Sequence, residues 1–229
     1  MSMETILVVA AHPDDEVLGS GGTIVKMSGD HPVCIAIMGE GATSRWQQRS
    51  EAALSVVGEL QAQARAAAEL MGARKVTFEG LPDNRFDTLP LLDVVKRVER
   101  LIDEVRPSII YTHSPGDLNV DHQVTFRAVL TATRPIVDCP VKEVYTFEIP
   151  SSTEWSFQQL SSPWRPNVFV DITSAIERKI QALQCYRGEV REFPHPRSPE
   201  AIRAIARRWG SVAGLEYAEA FELVRSIRL

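Results

Sequence analysis

Thr5-Ile6-Leu7-Val8-Val9-Ala10-Ala11-His12-Pro13-Asp14-Asp15-Glu16, followed by Val17-Leu18-Gly19-Ser20-Gly21-Gly22-Thr23-Ile24-Val25-Lys26, reads as a strand, a turn and the start of a helix. Thr5 to Val9 is β-branched and apolar almost throughout, the pattern of a strand covered on both faces. The proline stops it, so one imidazole and three carboxylates fall in the strand-to-helix turn. Open α/β sheets bind their ligands at such turns. A His and an Asp of one turn can share a cation and leave a second carboxylate free beside it, and zinc accepts both donor types. Carboxylates at a helix start also cap it and favour its positive end without any metal. Taken alone, the turn leaves both readings open.

A second cluster shifts the balance. His113-Ser114-Pro115-Gly116-Asp117-Leu118-Asn119-Val120-Asp121-His122 follows another β-branched segment, Ser108 to Thr112, and runs into a helix from Gln123 to Thr133. Asp- and Asn-rich loops are ordinary turn chemistry, so His113 or Asp117 alone means little. Two clusters at matched ends of parallel strands converge on one crevice, where His12, Asp15 and His122 form a His₂Asp site with room for water.

Between and beyond these clusters, strand and helix patterns alternate. Strands are expected at Val33–Met38, Lys75–Phe78, Val141–Ile149 and Asn167–Asp171, and helices over Gln47–Met71 and Leu91–Val105. Three further helices are expected from near Thr173, Ser198 and Glu216. The βαβα order predicts a single-domain α/β fold over residues 1–229, a mostly parallel, Rossmann-like sheet with helices on both faces. At 229 residues such a domain buries about 70% of its unfolded surface. A net charge of −5 leaves no basic stripe for nucleic acid. Cys34, Cys139 and Cys185 are scattered, odd in number and without metal-type spacing, which points to a reducing, cytoplasmic setting. No signal-peptide pattern and no apolar run of membrane-spanning length is found.

Ala11-His12-Pro13-Asp14-Asp15-Glu16, with Gly19-Ser20-Gly21-Gly22-Thr23 and Asp121-His122, resembles the LmbE-like, or PIG-L-type, family of zinc-dependent N-deacetylases. Pro82-Asp83-Asn84, Pro194-His195-Pro196-Arg197-Ser198 and Ala218-Glu219-Ala220-Phe221 extend the resemblance along most of the chain. It implies removal of the acetyl group from an N-acetylglucosamine-type sugar in a glycoconjugate or sugar nucleotide. Zinc-bound water would attack the acetamide, with His12, Asp15 and His122 as ligands and Asp14 as general base. Asp121 would orient a site imidazole, and Asp83, His195 and Arg197 would contact substrate. Iron(II), manganese and cobalt also suit a His₂Asp set. The partner implied is a small N-acetylated sugar, with no membrane insertion, and the state of assembly, monomer or homo-oligomer, is left open.

This sequence departs from the family pattern at Asn119, where many members carry a His that helps polarise or protonate the intermediate. An amide can donate to an oxyanion but cannot transfer a proton. Either Asn119 serves as donor alone, or His113 reaches into the pocket to replace the imidazole; the short loop after Thr112 favours the inward orientation. Leu60 and Gln63 stand where many members have an Arg and a Glu, so no substrate contact is carried over there.

Other features carry less. Gly19-Ser20-Gly21-Gly22 is no dinucleotide fingerprint, because its glycines lie inside the helix rather than in the turn and the turn is acidic. They are expected to allow close packing. Arg187, Arg191, Arg197, Arg203, Arg207 and Arg208 are interleaved with glutamates and read as a solvated face, with a grip on a substrate phosphate as the other reading. Trp155 and Trp164 flank a loop and suit either a sugar ring or the core. Two rival functions stand beside the deacetylase: another metal-assisted amide or phosphoester hydrolase, and a non-catalytic metal-binding protein of the same fold.

Overall fold

The computed structural model describes residues 4–47, 49, 54–160 and 162–228. The elements run β1 (Ile6–Ala10), α1 (Asp15–Met27), β2 (Val33–Gly39), α2 (Leu54–Met71), β3 (Lys75–Leu81), α3 (Leu91–Val105), β4 (Ile109–His113) and α4 (Val120–Ala132). They continue through β5 (Glu143–Phe147), β6 (Val168–Asp171), α5 (Ile176–Gln184), α6 (Pro199–Ala213) and β7 (Ala218–Ser226). All seven strands join one sheet in the order β3-β2-β1-β4-β5-β7-β6. β3 to β5 are parallel, while β7 runs antiparallel to both β5 and β6.

The two-residue period of β1 explains its unbroken apolar run. Ile6 and Val8 pack in one core with residues of α1, α2 and α5, whereas Leu7 and Val9 pack in another with α3 and α4. The expected mostly parallel sheet, covered on both faces, is what the chain forms. The glycines of α1 sit where that packing is tightest. A Cβ on Gly19 would lie 2.4 Å from the Phe147 ring, and one on Gly22 2.8 Å from Ile172.

The largest departures from expectation are at α2 and at the last element. Gln47 and Arg49 lie outside α2, and residues 48, 50 and 51–53 of the expected helix are not among the described ones. The segment from Glu216, expected as a helix, is strand β7. Its alanines and glutamates favour helix locally, but its apolar positions also satisfy a strand, and the slot between β5 and β6 decides. Glu219 is accommodated there because its carboxylate accepts from the Gly22 and Thr23 N–H groups, at 2.8 and 2.7 Å, and from Lys179 Nζ at 2.6 Å. Among the described residues no helix is long and apolar enough to cross a membrane.

Candidate active site

β1 and β4 are neighbours, yet α1 packs on one face of the sheet and α4 on the other. Their C-terminal ends therefore open a crevice at the topological switch point. The turn after β1 is tightly held. Asp14 adopts a left-handed backbone, with φ of 106°, and its N–H donates to Glu16 Oε2 at 3.1 Å. Glu16 in turn accepts from the buried Tyr186 hydroxyl. Gly41, at φ 80°, lets the β2 loop lie against Pro13, where a Cβ would stand 2.3 Å from Pro13 Cδ. Backbone strain of this kind is stored where a side chain must be aimed.

The aimed groups converge. His122 Nε2 lies 3.3 Å from both Asp15 Oδ2 and His12 Nδ1, and His12 Nδ1 lies 3.4 Å from Asp15 Oδ2. Behind them, His12 Nε2 is 2.9 Å from Asp121 Oδ2. Asp121 is itself fixed by the N–H groups of Asn84 and Phe86, at 2.6 and 2.9 Å. His122 Nδ1 stands 3.1 Å from Asp117 Oδ1, off the ideal hydrogen-bond direction. Asp117 accepts from the hydroxyls of Ser152 and Thr153. Carboxylates behind imidazoles in this way set which ring nitrogen faces forward.

Asp15 Oδ1 is buried with no hydrogen-bond partner among the described residues. Its other oxygen, Oδ2, lies beside the two imidazole nitrogens, and a carboxylate with an unpartnered oxygen next to two imidazoles is a donor set a divalent cation satisfies. His12, Asp15 and His122 can thus hold one ion. His12, Asp83 and Asp121 also approach one another closely. However, each Asp121 oxygen already accepts a backbone N–H, and Asp83 Oδ2 accepts from Ser44 N and Oγ at 3.1 and 2.6 Å. Burial raises the Asp15 pKa, but the adjoining His122 and His113 charges outweigh it and hold the carboxyl well below its usual range.

Asp14 stands beside this set, buried, with Oδ2 2.7 Å from Arg197 Nη1. Burial pushes its pKa well up, and the Arg197 charge opposes the rise. Arg197 comes from the turn before α6 and is steadied by Ser151 Oγ at 2.8 Å. Asn119 caps α4, its side chain accepting from the Asp121 N–H at 2.8 Å, while Nδ2 donates to Asn84 Oδ1 at 3.0 Å. Asn119, Asp83, His12, Asp14 and Arg197 all line a polar cavity of about 200 Å³.

His113 turns inward toward the candidate ligands, its Nε2 3.5 Å from Asp15 Oδ2, but it does not line that cavity as a replacement for the missing imidazole would. β4 runs one residue further than anticipated, so His113 is a strand residue paired with Phe147 and fully buried. Its Nε2 accepts the Ala11 N–H at 2.8 Å, and its ring stacks on His122 and meets the edge of Phe147. His195 is also outside the cavity lining, its Nδ1 accepting the Arg197 N–H at 3.1 Å. Sequence reasoning gave no site role to Ser44, Arg45, Asn84 or Glu189, which line the cavity. Gly39-Glu40-Gly41 at the end of β2, next to β1, was the available signal for the first two.

A profile of the PIG-L family, described as GlcNAc-PI de-N-acetylase, matches residues 7–133. The chain belongs to the PIG-L family. This PIG-L chain is 31% identical over 208 residues to 4-oxalmesaconate hydratase of Pseudomonas putida, covering 81% of this chain and 74% of that protein. It is 23% identical over 232 residues to diacetylchitobiose deacetylase of Thermococcus kodakarensis, covering 99% and 85%. The structure of N,N'-diacetylchitobiose deacetylase from Pyrococcus horikoshii superposes with a TM-score of 0.78 at 20% identity, covering 98% of this chain and 85% of that one. At that identity the likeness is one of fold.

Proposed function

We propose that the protein is a metal-dependent hydrolase that removes the acetyl group from an N-acetylglucosamine-type amino sugar. The observation that carries this reading is the pairing of a His12–Asp15–His122 donor set, buried but for the half-buried His12, with the separate carboxylate of Asp14, beside a small polar cavity. Deacetylase relatives in the same family support the substrate class. A cavity of about 200 Å³ lined by hydroxyl, amide and charged groups suits one polyhydroxylated ring.

His12, Asp15 and His122 would hold the ion, and zinc suits this set best, with iron(II), manganese and cobalt as other occupants. A divalent ion there supplies a Lewis acid that acidifies water and polarises a carbonyl. Asp14 takes the proton of the attacking water and returns it to the departing amine, acting as base and then acid. Arg197 aims the Asp14 carboxylate, and Asp121 aims the His12 ring. Asn119 Nδ2 donates to the oxygen on which negative charge develops. His113, its Nε2 occupied by the Ala11 N–H, packs the site from behind and moves no proton.

A second reading, addition of water to an unsaturated carboxylate, is favoured by the 31% identity to a hydratase and by the Arg197 and Arg45 side chains at the cavity. Hydration would need no acid for a leaving amine. One experiment separates the two. Zinc-loaded protein is incubated with N-acetylglucosamine derivatives and with conjugated dienoic carboxylates, measuring acetate release and loss of diene absorbance. Acetate from the sugars supports the deacetylase; diene loss without acetate overturns it.

A further inference from the structure

Asp14 is gripped at both its backbone and its carboxylate by one short stretch of chain, the turn after α5. Asp14 is the N-cap residue of α1, and its carbonyl accepts the Val17 and Leu18 N–H groups at 3.0 and 2.9 Å. An N-cap aspartate ordinarily turns its carboxylate back onto the free N–H groups of the first helical turn. Asp14 makes no such bond among the described residues, and its Oδ2 reaches instead to Arg197 Nη1 at 2.7 Å. What remains is the return half of a capping box, placed one residue early: the Asp14 N–H donates to Glu16 Oε2 at 3.1 Å.

Glu16 needs an anchor of its own to hold that N–H. Its carboxylate is fully buried, and the second oxygen, Oε1, accepts the Tyr186 hydroxyl across 170 positions of sequence. Tyr186 is the largest of the fully buried side chains and packs in the same core as Val17 and Leu18 of α1, so its hydroxyl cannot follow a partner that moves. Three residues further on, the Glu189 N–H donates to the Tyr186 carbonyl at 2.9 Å. The Glu189 carboxylate lies 3.4 Å from Arg197 Nη1, the same nitrogen that meets Asp14, and its other oxygen pairs with Arg45. One turn, closed by its own backbone, thus reaches the Asp14 backbone through Glu16 and the Asp14 carboxylate through Arg197.

We propose that Tyr186 is a positioning residue for Asp14, acting through Glu16 to fix where the Asp14 carboxylate stands beside the His12–Asp15–His122 set. The proposal rests on the reading of Asp14 as general base and deepens it. The Asp14 φ of 106° is one that a side-chain-bearing residue keeps only while its surroundings hold it there. Without the Tyr186 hydroxyl, Glu16 Oε1 is a buried acceptor with no donor. The carboxylate then turns to find one, the Asp14 N–H loses its acceptor, and the Asp14 backbone relaxes. His12 and His122, braced by Asp121 and Asp117, stay where they are. A ring that only filled the core would work as well without its hydroxyl.

The test compares zinc-loaded native protein with Tyr186→Phe, which keeps the ring and removes the hydroxyl. Crystal structures of the two should show the Asp14 carboxylate displaced by about 1 Å in the variant and parted from Arg197, with the zinc ligands in place. A displacement of that size lowers rates by up to about 10²-fold, so kcat for acetate release from N-acetylglucosamine derivatives should fall about 10–100-fold, with KM within about twofold. In an Asp14→Asn background the same substitution should change the residual rate by less than about twofold, because the group it acts through is already gone. Should Tyr186→Phe fail to fold, the double variant Glu16→Met/Tyr186→Phe replaces the buried polar pair by apolar side chains of similar volume and takes its place. An Asp14 carboxylate that does not move, or an equal loss of rate in both backgrounds, overturns the proposal. Native protein that releases no acetate removes the deacetylase reading, and the crystallographic comparison then decides on Tyr186 by itself.

Discussion

Replacing Asn119 by Ser separates two jobs that the native side chain performs together. Asn119 Oδ1 caps α4 by accepting the Asp121 N–H at 2.8 Å, and Nδ2 donates one hydrogen to Asn84 Oδ1 at 3.0 Å. An amide nitrogen carries two hydrogens, so one is left for a substrate oxygen in the cavity that Asn119 lines. Ser caps about as well as Asn, so Asn119→Ser should change stability by only about 0.5 kcal/mol or less. The amide donor is lost, and removing one donor to a developing oxyanion costs about 10²–10³ in kcat, or about 2.7–4 kcal/mol in the transition state. Asn119→Ala should show the same kinetic loss and an added cost of about 1 kcal/mol for the missing cap. The assays are steady-state acetate release and urea unfolding on the same preparations. Neither variant should move the limbs of the pH–rate profile, because no titrating group is removed. An Asn119→Ser enzyme with near-native kcat would show that Asn119 is a cap and nothing more.

Three further outcomes are expected. Asp14→Asn should lower turnover by about 10²–10⁴ while the ion remains bound, checked by acetate release alongside metal content. Lys179→Met strands Glu219 inside the fold beside α1 and should cost about 3–5 kcal/mol in urea unfolding, whereas changing both Lys179 and Glu219 to apolar residues should recover much of it. Burial pushes Glu148 from 4.5 up to about 7, so the folded carboxyl keeps a proton that the unfolded chain has lost. Its contribution to stability is therefore full below pH 4.5 and lost as pH rises through about 7. Unfolding of Glu148→Gln across that window should be less pH-dependent than that of the native protein.

Much of the site was legible because its residues are local to two turns. His12, Asp14 and Asp15 share one strand-to-helix turn, and Asp121 and His122 open the helix after β4, so recognising parallel strands was enough to bring them together. His113 was misplaced for a local reason: one extra residue of strand exchanges a loop side chain for one locked between layers. β7 was misread because its alanines and glutamates obey both helical and extended periods, and only the gap between β5 and β6 selects one. Arg197 reaches Asp14 across 183 positions of sequence, a contact no spacing rule could supply. The cavity walls from Ser44 and Glu189 were hidden for the same reason, since each depends on which strands become neighbours.

The proposed chemistry needs one ion held by His12, Asp15 and His122, with Asp14 left free beside it. Its most direct test is metal content after chelation, reloading with zinc and gel filtration, for the native protein and the His122→Ala and Asp14→Asn variants, with folding checked by circular dichroism. One equivalent is expected in the native and Asp14→Asn proteins and none in folded His122→Ala. A full equivalent in His122→Ala, or loss of the ion from Asp14→Asn, would contradict the assignment.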